Sequence, residues 1–87
     1  MAYRIEIIRA AQKQGLSLPG QAKMEISRAI DGLANIPRPP GCKKLGGADL
    51  WRLRLGRYRV VYFIDDEAML VIVVKVASRR EDTYQGI

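Results

Sequence analysis

The stretch that decides the fold runs from Leu50 to Ile64 and reads LWRLRLGRYRVVYFI. Apolar and basic residues alternate in its first half, with the period of two that a half-buried strand requires. The second half alternates in a similar way from Tyr58 onward. Gly56-Arg57 separates the two halves, and glycine at the first central position suits a two-residue type II′ turn. The stretch therefore predicts a β-hairpin with one apolar face and one basic face.

The two-residue turn also fixes how the two strands face each other. Arg54 then lies directly opposite Arg59, and Arg52 lies on the same face. Like charges directly opposite each other on a sheet are destabilising, so the cluster requires an explanation. Either the long side chains extend into water as a solvated face, or the three arginines form a site that binds an anion. The hairpin by itself leaves both interpretations open.

Two helices are predicted before the hairpin. Residues 10–14 are good helix formers, and Gly15 is a natural residue for the end of a short helix. A second helix is expected to begin near Ser17, a suitable cap, and Pro19, which the first turn tolerates. Over residues 22–33 the apolar side chains recur at the spacing of one helical face. This amphipathic helix is therefore expected to cover one face of the sheet.

Two further strands complete the predicted sheet. Apolar residues alternate from Tyr3 to Ile8, and the continuous apolar run from Met69 to Val74 suits a central strand buried on both faces. Residues 37–47 are rich in proline and glycine and are expected to form a connector. The sequence thus predicts an α+β fold, a four-stranded antiparallel sheet in the order 1-4-3-2 with two N-terminal helices packed on one face.

Lys75 helps to set the register of the last strand. A charge buried against the helices would be costly, so we expect Lys75 on the basic face. A three-residue loop from Asp65 to Glu67 gives this register, and the same alternation carries Arg79 to that face. Four or five cations would then converge from three strands.

Composition limits the chemistry that is available. The 87 residues suit one domain, residues 1–87, and 48% hydrophobic with 28% charged residues is typical of a soluble globular chain. No apolar run is long enough for a membrane span, and the first residues lack the features of a signal peptide, so we expect a cytoplasmic protein. The chain has no histidine and a single cysteine, Cys42. These counts exclude an internal disulfide, zinc chemistry and histidine acid–base catalysis, and we expect no metal and no cofactor.

Positive charge is concentrated around the hairpin. Fifteen lysines and arginines against nine acids give a formal net charge of +6. Between residues 43 and 59 the single acid is Asp49, and the cations are Lys43, Lys44, Arg52, Arg54, Arg57 and Arg59. Such a concentration on one strand face favours RNA, DNA or an acidic protein as the partner.

Arginines held on a rigid sheet can bind a phosphate and stabilise the charge that develops on it during nucleophilic attack. RNA carries its own nucleophile, the 2′-hydroxyl, so a ribonuclease has to orient this group, accept its proton and assist the leaving group. Arginine is a poor general base, whereas neighbouring cations lower the pKa of a tyrosine. Tyr84, which follows Arg79-Arg80, is therefore the candidate for a base or for a ring that stacks on a nucleotide. A tyrosine that rests on the surface is the alternative.

Several motifs together resemble the RelE/ParE toxin superfamily. They are Pro37-Arg38-Pro39-Pro40-Gly41, Lys43-Lys44-Leu45, Leu50-Trp51-Arg52-Leu53-Arg54, Gly56-Arg57-Tyr58-Arg59-Val60-Val61-Tyr62 and Arg79-Arg80-Glu81-Asp82-Thr83-Tyr84. The resemblance covers nearly the whole chain and implies a small antiparallel sheet with two helices on one face. RelE-type members cut messenger RNA in the ribosomal A site and are neutralised by an antitoxin that wraps the toxin, whereas ParE-type members poison DNA gyrase.

The resemblance implies a ribosome-dependent endoribonuclease toxin whose partners are a RelB-like antitoxin, the ribosome and messenger RNA. A ParE-like gyrase inhibitor that acts by protein binding is the alternative. By matching positions, the catalytic residues would be Arg52, Arg54, Arg59, Arg79 and Tyr84. Further nucleic-acid contacts are expected from Lys43, Lys44, Arg57, Lys75 and Arg80.

Two departures from the pattern of that family concern three positions. Arg52 and Arg54 stand where the best-known RelE enzymes carry lysine, and Ser78 stands where many relatives carry histidine. Arginine keeps the charge but gives up the more readily titrated amine. Both departures shift the expected proton transfer toward Tyr84.

Overall fold

The computed structural model describes residues 2–46 and 49–78. The elements in chain order are β1 (Arg4–Ile7), α1 (Arg9–Leu16), α2 (Gly20–Gly32), β2 (Cys42–Leu45), β3 (Leu50–Leu55), β4 (Tyr58–Asp65) and β5 (Leu70–Ser78). The strands form one sheet in the order β1-β5-β4-β3-β2. The predicted α+β fold is confirmed, and the predicted order of four strands reappears as β1-β5-β4-β3.

Two details of the predicted sheet are wrong. The sheet has a fifth strand, β2, which pairs antiparallel with β3 where a connector was expected. Gly41 turns the chain with a φ of +93°, and Cys42 N–H donates to the carbonyl of Pro39 at 3.1 Å, so the proline-rich stretch ends in a tight turn that starts the strand. In addition, β1 pairs parallel with β5, which makes the sheet mixed. No hairpin joins these two strands, so local turn chemistry could not indicate their relative direction.

The hairpin of β3 and β4 has the predicted register. Arg54 pairs with Arg59, and Trp51 pairs with Tyr62. Gly56 has a φ of +61°, whereas φ at Arg57 is not positive. This combination agrees with the type II′ turn, since a type I′ turn requires positive φ at both central residues.

The connection from β4 to β5 differs from the predicted three-residue loop. Asp65 pairs with Leu70, so the turn comprises the four residues 66–69. Continued without interruption, this register would turn Lys75 toward the helices. A β-bulge between Val61 and Tyr62 shifts the pairing by one residue, and Lys75 therefore pairs with Val61 on the predicted face.

The two helices cover one face of the sheet and build the core with it. Ser17 does not cap α2 as predicted; it ends α1, where its hydroxyl donates to the carbonyl of Gln14 at 2.9 Å. No helix in the described ranges is long and apolar enough to cross a membrane. The core residues that are at most 7% exposed and pack together are Ala11, Ile26, Ile30, Leu33, Leu53, Val60, Tyr62, Ile64, Val71, Val73 and Val76.

Candidate nucleic-acid interface

The side chains that alternate with these core residues form the opposite surface of the sheet, called the open face here. Cross-strand pairing arranges five of its cations in two rows. The first row consists of Arg54, Arg59 and Ala77. The second row consists of Lys43, Arg52, Val61 and Lys75. The five cations of these two rows come from four strands, where the sequence had indicated three strands. Arg4 of β1 lies on the same surface outside the two rows, paired with Glu6.

A third row borders the second row and is apolar over four strands. It consists of Leu45, Leu50, Phe63 and Ile72. Phe63 is 37% exposed, so part of its ring is in contact with solvent. The open face thus changes from cationic to apolar along the direction of its strands.

Arg52 lies in surroundings that are unfavourable for a cation. Its side chain is half-buried, and its buried Nε has no hydrogen-bond partner in the described part of the chain. Burial and the charges of Arg54 and Arg59 lower the pKa of Arg52. A buried polar group without a partner costs free energy, and so does the repulsion between like charges. A bound anion would offset both costs.

The structure does not bring every predicted contact residue to the open face. Lys44 pairs with Trp51, and its side chain belongs to the side of the sheet that carries the helices. Arg57 lies in the hairpin turn and lines a groove of about 330 Å³ together with Glu25 of α2. The three remaining predicted site residues, Arg79, Arg80 and Tyr84, lie outside the described residues.

One arginine that the sequence analysis had not assigned to any contact proves to be part of the framework. Arg38 donates to both carboxylate oxygens of Asp66, at 3.3 and 2.9 Å, and lies 4.9 Å from the ring centre of Trp51. The Tyr3 hydroxyl donates to the same carboxylate at 2.7 Å. These contacts hold the pKa of Asp66 below its usual value and raise that of Arg38. Because the partners lie far apart in the sequence, no local pattern indicated this cluster.

The tyrosines of the described chain do not supply a proton carrier on the open face. Tyr3, Tyr58 and Tyr62 all pack on the helix side, in or against the core. The Tyr62 hydroxyl donates to the carbonyl of Pro37 at 2.8 Å, and burial, together with the neighbouring Cys42, raises the pKa of Tyr62. The described part of the open face therefore offers cations suited to an anion, but no phenol.

Comparison with known proteins gives a consistent set of relatives. A family model described as the ParE toxin of the type II toxin-antitoxin system parDE matches residues 5–83. The chain is 31% identical over 92 residues to the candidate toxin RelE1 of Methanocaldococcus jannaschii, covering 99% of both chains. It is 28% identical over 87 residues to the mRNA interferase toxin RelE of Escherichia coli K12, covering 97% of this chain and 92% of that one.

Among solved structures, a chain of the archaeal RelE–RelB complex from Pyrococcus horikoshii is similar to this one with a TM-score of 0.82. The two are 32% identical, and the match covers 91% of this chain and 97% of that chain. The mixed sheet with two helices on one face is therefore an architecture that the solved relative shares.

Proposed function

The chain belongs to the ParE toxin family of type II toxin-antitoxin systems, and we propose that it is a messenger-RNA endonuclease that cuts its substrate in the ribosomal A site. The observation that carries this proposal is the direct pairing of Arg54 with Arg59 on the open face, with Arg52 beside them. A fold keeps like charges in this arrangement at a cost. A phosphate in the middle of a strand of RNA would offset that cost.

The proposed reaction uses the nucleophile that the substrate carries. The 2′-oxygen attacks the scissile phosphorus as it loses its proton, the bond from phosphorus to the 5′-oxygen breaks, and the leaving oxygen takes up a proton. Arg54 and Arg59 would bind the non-bridging oxygens as negative charge grows on them, a contribution that is strongest in the transition state. Arg52 and Arg79 would add to the positive field, and Tyr84 would accept the first proton.

The ribosome would supply the orientation that this small site lacks. A substrate held with its 2′-oxygen in line with the phosphorus has lost most of its freedom before the reaction begins, and this lowers the entropic part of the barrier. We therefore expect the protein alone to cut naked RNA slowly. A toxin that works on ribosomes would act in the cytoplasm.

An antitoxin is the second proposed partner. The relative from Pyrococcus horikoshii was solved as a RelE–RelB complex, which supports a RelB-like partner for this chain. An acidic or amphipathic segment of that partner would relieve the repulsion on the open face and would block the site. Titration at low salt with the protein encoded beside the toxin should show tight binding and loss of toxicity.

The direct test of the nuclease uses purified ribosomes programmed with messenger RNA. Primer extension should reveal cuts within the codon that occupies the A site. Arg59→Ala should remove these cuts, whereas Lys44→Ala, which removes a cation from the other side of the sheet, should leave them in place. Intact messages with the wild-type protein, or rapid cutting of RNA without ribosomes, would contradict the proposal.

A second candidate function is inhibition of DNA gyrase by protein binding. The ParE description of the matching family model and the serine at position 78 favour it. A supercoiling assay run in parallel with the cleavage assay separates the two functions. Inhibited supercoiling together with intact messages would favour the gyrase inhibitor.

A further inference from the structure

We propose that the second row of the open face binds the phosphate next to the scissile phosphate, so that the face holds two successive phosphates of one RNA strand. The row brings Lys43, Arg52 and Lys75 together on three different strands. This inference rests on the proposed nuclease function and extends its site. It gives Lys43 and Lys75 a specific ligand, and it adds a second phosphate to the contacts of Arg52.

The spacing of the two rows suits consecutive phosphates. The rows are two residues apart along β3 and β4, which corresponds to about 7 Å at the rise of a strand. This is close to the separation of neighbouring phosphates in an extended single strand. An RNA strand that runs along the hairpin with one phosphate at Arg54 and Arg59 would thus place the next phosphate at the second row.

The centre of the second row is a short side chain that stands between longer cationic ones. Val61 occupies it with a short side chain and is 6% exposed. Arg52 flanks it on β3, and Lys75 flanks it on β5. Lys43 stands one strand further out, on the edge strand, where its flexible stem can turn inward toward the anion.

Arg52 supplies the second observation that points to a ligand. Its buried Nε has no hydrogen-bond partner in the described part of the chain. A phosphate oxygen at the second row would accept a hydrogen bond from this guanidinium and would neutralise the repulsion it experiences from the first row. Arg52 would then lie between the two phosphates and contact both.

The third row marks where phosphate binding should end on one side of the two cationic rows. Leu45, Leu50, Phe63 and Ile72 offer no charge to a third phosphate. Within the described part of the open face the two cationic rows thus accommodate two phosphates, and on the side of the third row the RNA strand would have to leave the surface or lay a base on the apolar residues.

Lys43 and Lys44 provide a matched pair of variants for the test. Both lie on β2, both are exposed, and their side chains point to opposite sides of the sheet. Cleavage is measured on ribosomes programmed with messages in which one phosphate next to the scissile phosphate is replaced by a neutral methylphosphonate, on the 5′ side in one message and on the 3′ side in another. Thermal melts accompany every variant, and Lys43→Arg tests rescue by a conservative change.

The expected result is a loss of about tenfold for Lys43→Ala on the natural message, the size of one charge-assisted contact. One of the two methylphosphonate messages should slow the wild type by at least this factor, because Arg52 and Lys75 contact the same phosphate. On that message Lys43→Ala should cause no further loss, because both changes remove the same contact. Lys43→Arg should restore most of the rate, and Lys44→Ala should match the wild type throughout.

Three outcomes would overturn the inference. Equal rates for Lys43→Ala and Lys44→Ala would show that the second row makes no contact, while the nuclease itself stands. If the losses from Lys43→Ala and from the neutral phosphate multiply, the two changes act on different contacts. A wild type that leaves every message intact would overturn the nuclease and this inference together.

Discussion

Two arginines on opposite sides of strand β3 have opposite surroundings. Arg38 lies over the ring of Trp51 and forms a bidentate ion pair with Asp66. Arg52 follows Trp51 in the chain, on the other side of the sheet, and the charges that act on it are those of Arg54 and Arg59. Asp66 raises the pKa of Arg38, whereas burial and its two arginine neighbours lower the pKa of Arg52.

The difference separates cations that support the fold from cations that await a ligand. On the helix side, Arg38 binds groups that the chain itself supplies, so its contribution to stability is already present in the protein without a ligand. On the open face, Arg52 stays desolvated beside like charges, an arrangement that is characteristic of sites whose partner comes from outside. Substitutions on the helix side should therefore lower stability, whereas substitutions of the open-face arginines should lower activity without lowering stability.

The largest expected effect concerns Arg59 and the rate of cleavage. Loss of one donor to the transition state typically lowers a rate about 10²–10³-fold, and Arg59→Ala should do so on programmed ribosomes without lowering the melting temperature. Arg59→Lys should recover part of the rate, because a point charge does not reproduce the planar fork of a guanidinium. An unfolded Arg59→Ala protein, or a folded one that cuts at the wild-type rate, would refute the placement of the site.

The next effect concerns Tyr62 and the free energy of unfolding. Tyr62→Phe removes the hydrogen bond to the carbonyl of Pro37 and leaves that carbonyl without this donor. The expected loss is about 1–3 kcal/mol, measured by denaturant unfolding with an unchanged m-value. Cleavage by the folded fraction should be normal. A variant as stable as the wild type would mean that water replaces the phenol at no cost.

A smaller loss is expected when Arg38 is removed. Arg38→Ala deletes the contact with Trp51 and the partly exposed ion pair with Asp66, which together should lower the stability by about 1 kcal/mol. Arg4→Ala is the matched control, since Arg4 pairs with Glu6 at 3.5 Å while largely exposed, and it should change stability by less than about 0.5 kcal/mol. If folded Arg38→Ala cleaves more slowly than the wild type, Arg38 contributes to the active site and not only to the stability of the fold.

The smallest effect concerns Asp66 and should appear as a dependence of stability on pH in the acid range. Asp66 has a pKa below its ordinary value of 3.8, chiefly because Arg38 and then Tyr3 donate to it. A depressed carboxylate pKa stabilises the fold above that ordinary value, and this contribution disappears as the pH falls through the pKa of the folded state. Melts recorded from about pH 6 downward into acid should show a steeper loss of stability for the wild type than for Asp66→Asn. Parallel curves would contradict the role of Asp66.

The sequence predicted the part of the fold that depends on short-range geometry. Alternation and a glycine at position 56 determine the hairpin, and with it the facing of Arg54 and Arg59. Its longer-range features were not predictable in the same way. The parallel pairing of β1 with β5 depends on contacts between distant segments. The strand β2 pairs with β3, its neighbour in the chain, but the proline- and glycine-rich composition around it indicated a connector. Lys75 reached the predicted face for a different reason, because a four-residue turn and a β-bulge compensate for each other.

The candidate site was likewise predictable where it depends on the alternation within the hairpin. A period of two identified Arg52, Arg54 and Arg59 as one cluster, and the structure adds Lys43 through the pairing of β2. Charge density alone could not distinguish Lys43 from Lys44, since only the register of an edge strand separates their faces. The pairing of Arg38 with Asp66 likewise joins residues for which the sequence offers no common periodicity.

The melting temperature of Arg54→Ala at low and high salt tests most directly the claim that the open face keeps its cations for a ligand. Arg54 faces Arg59, so its removal should raise the melting temperature at about 0.01 M salt, where charges interact over about 30 Å. The gain should fade near 1 M salt, where the range is about 3 Å. Cleavage should fall at least tenfold under the same substitution, and Arg57→Ala at the turn serves as the stability control. A variant that melts lower at low salt and still cuts at the wild-type rate would contradict the account.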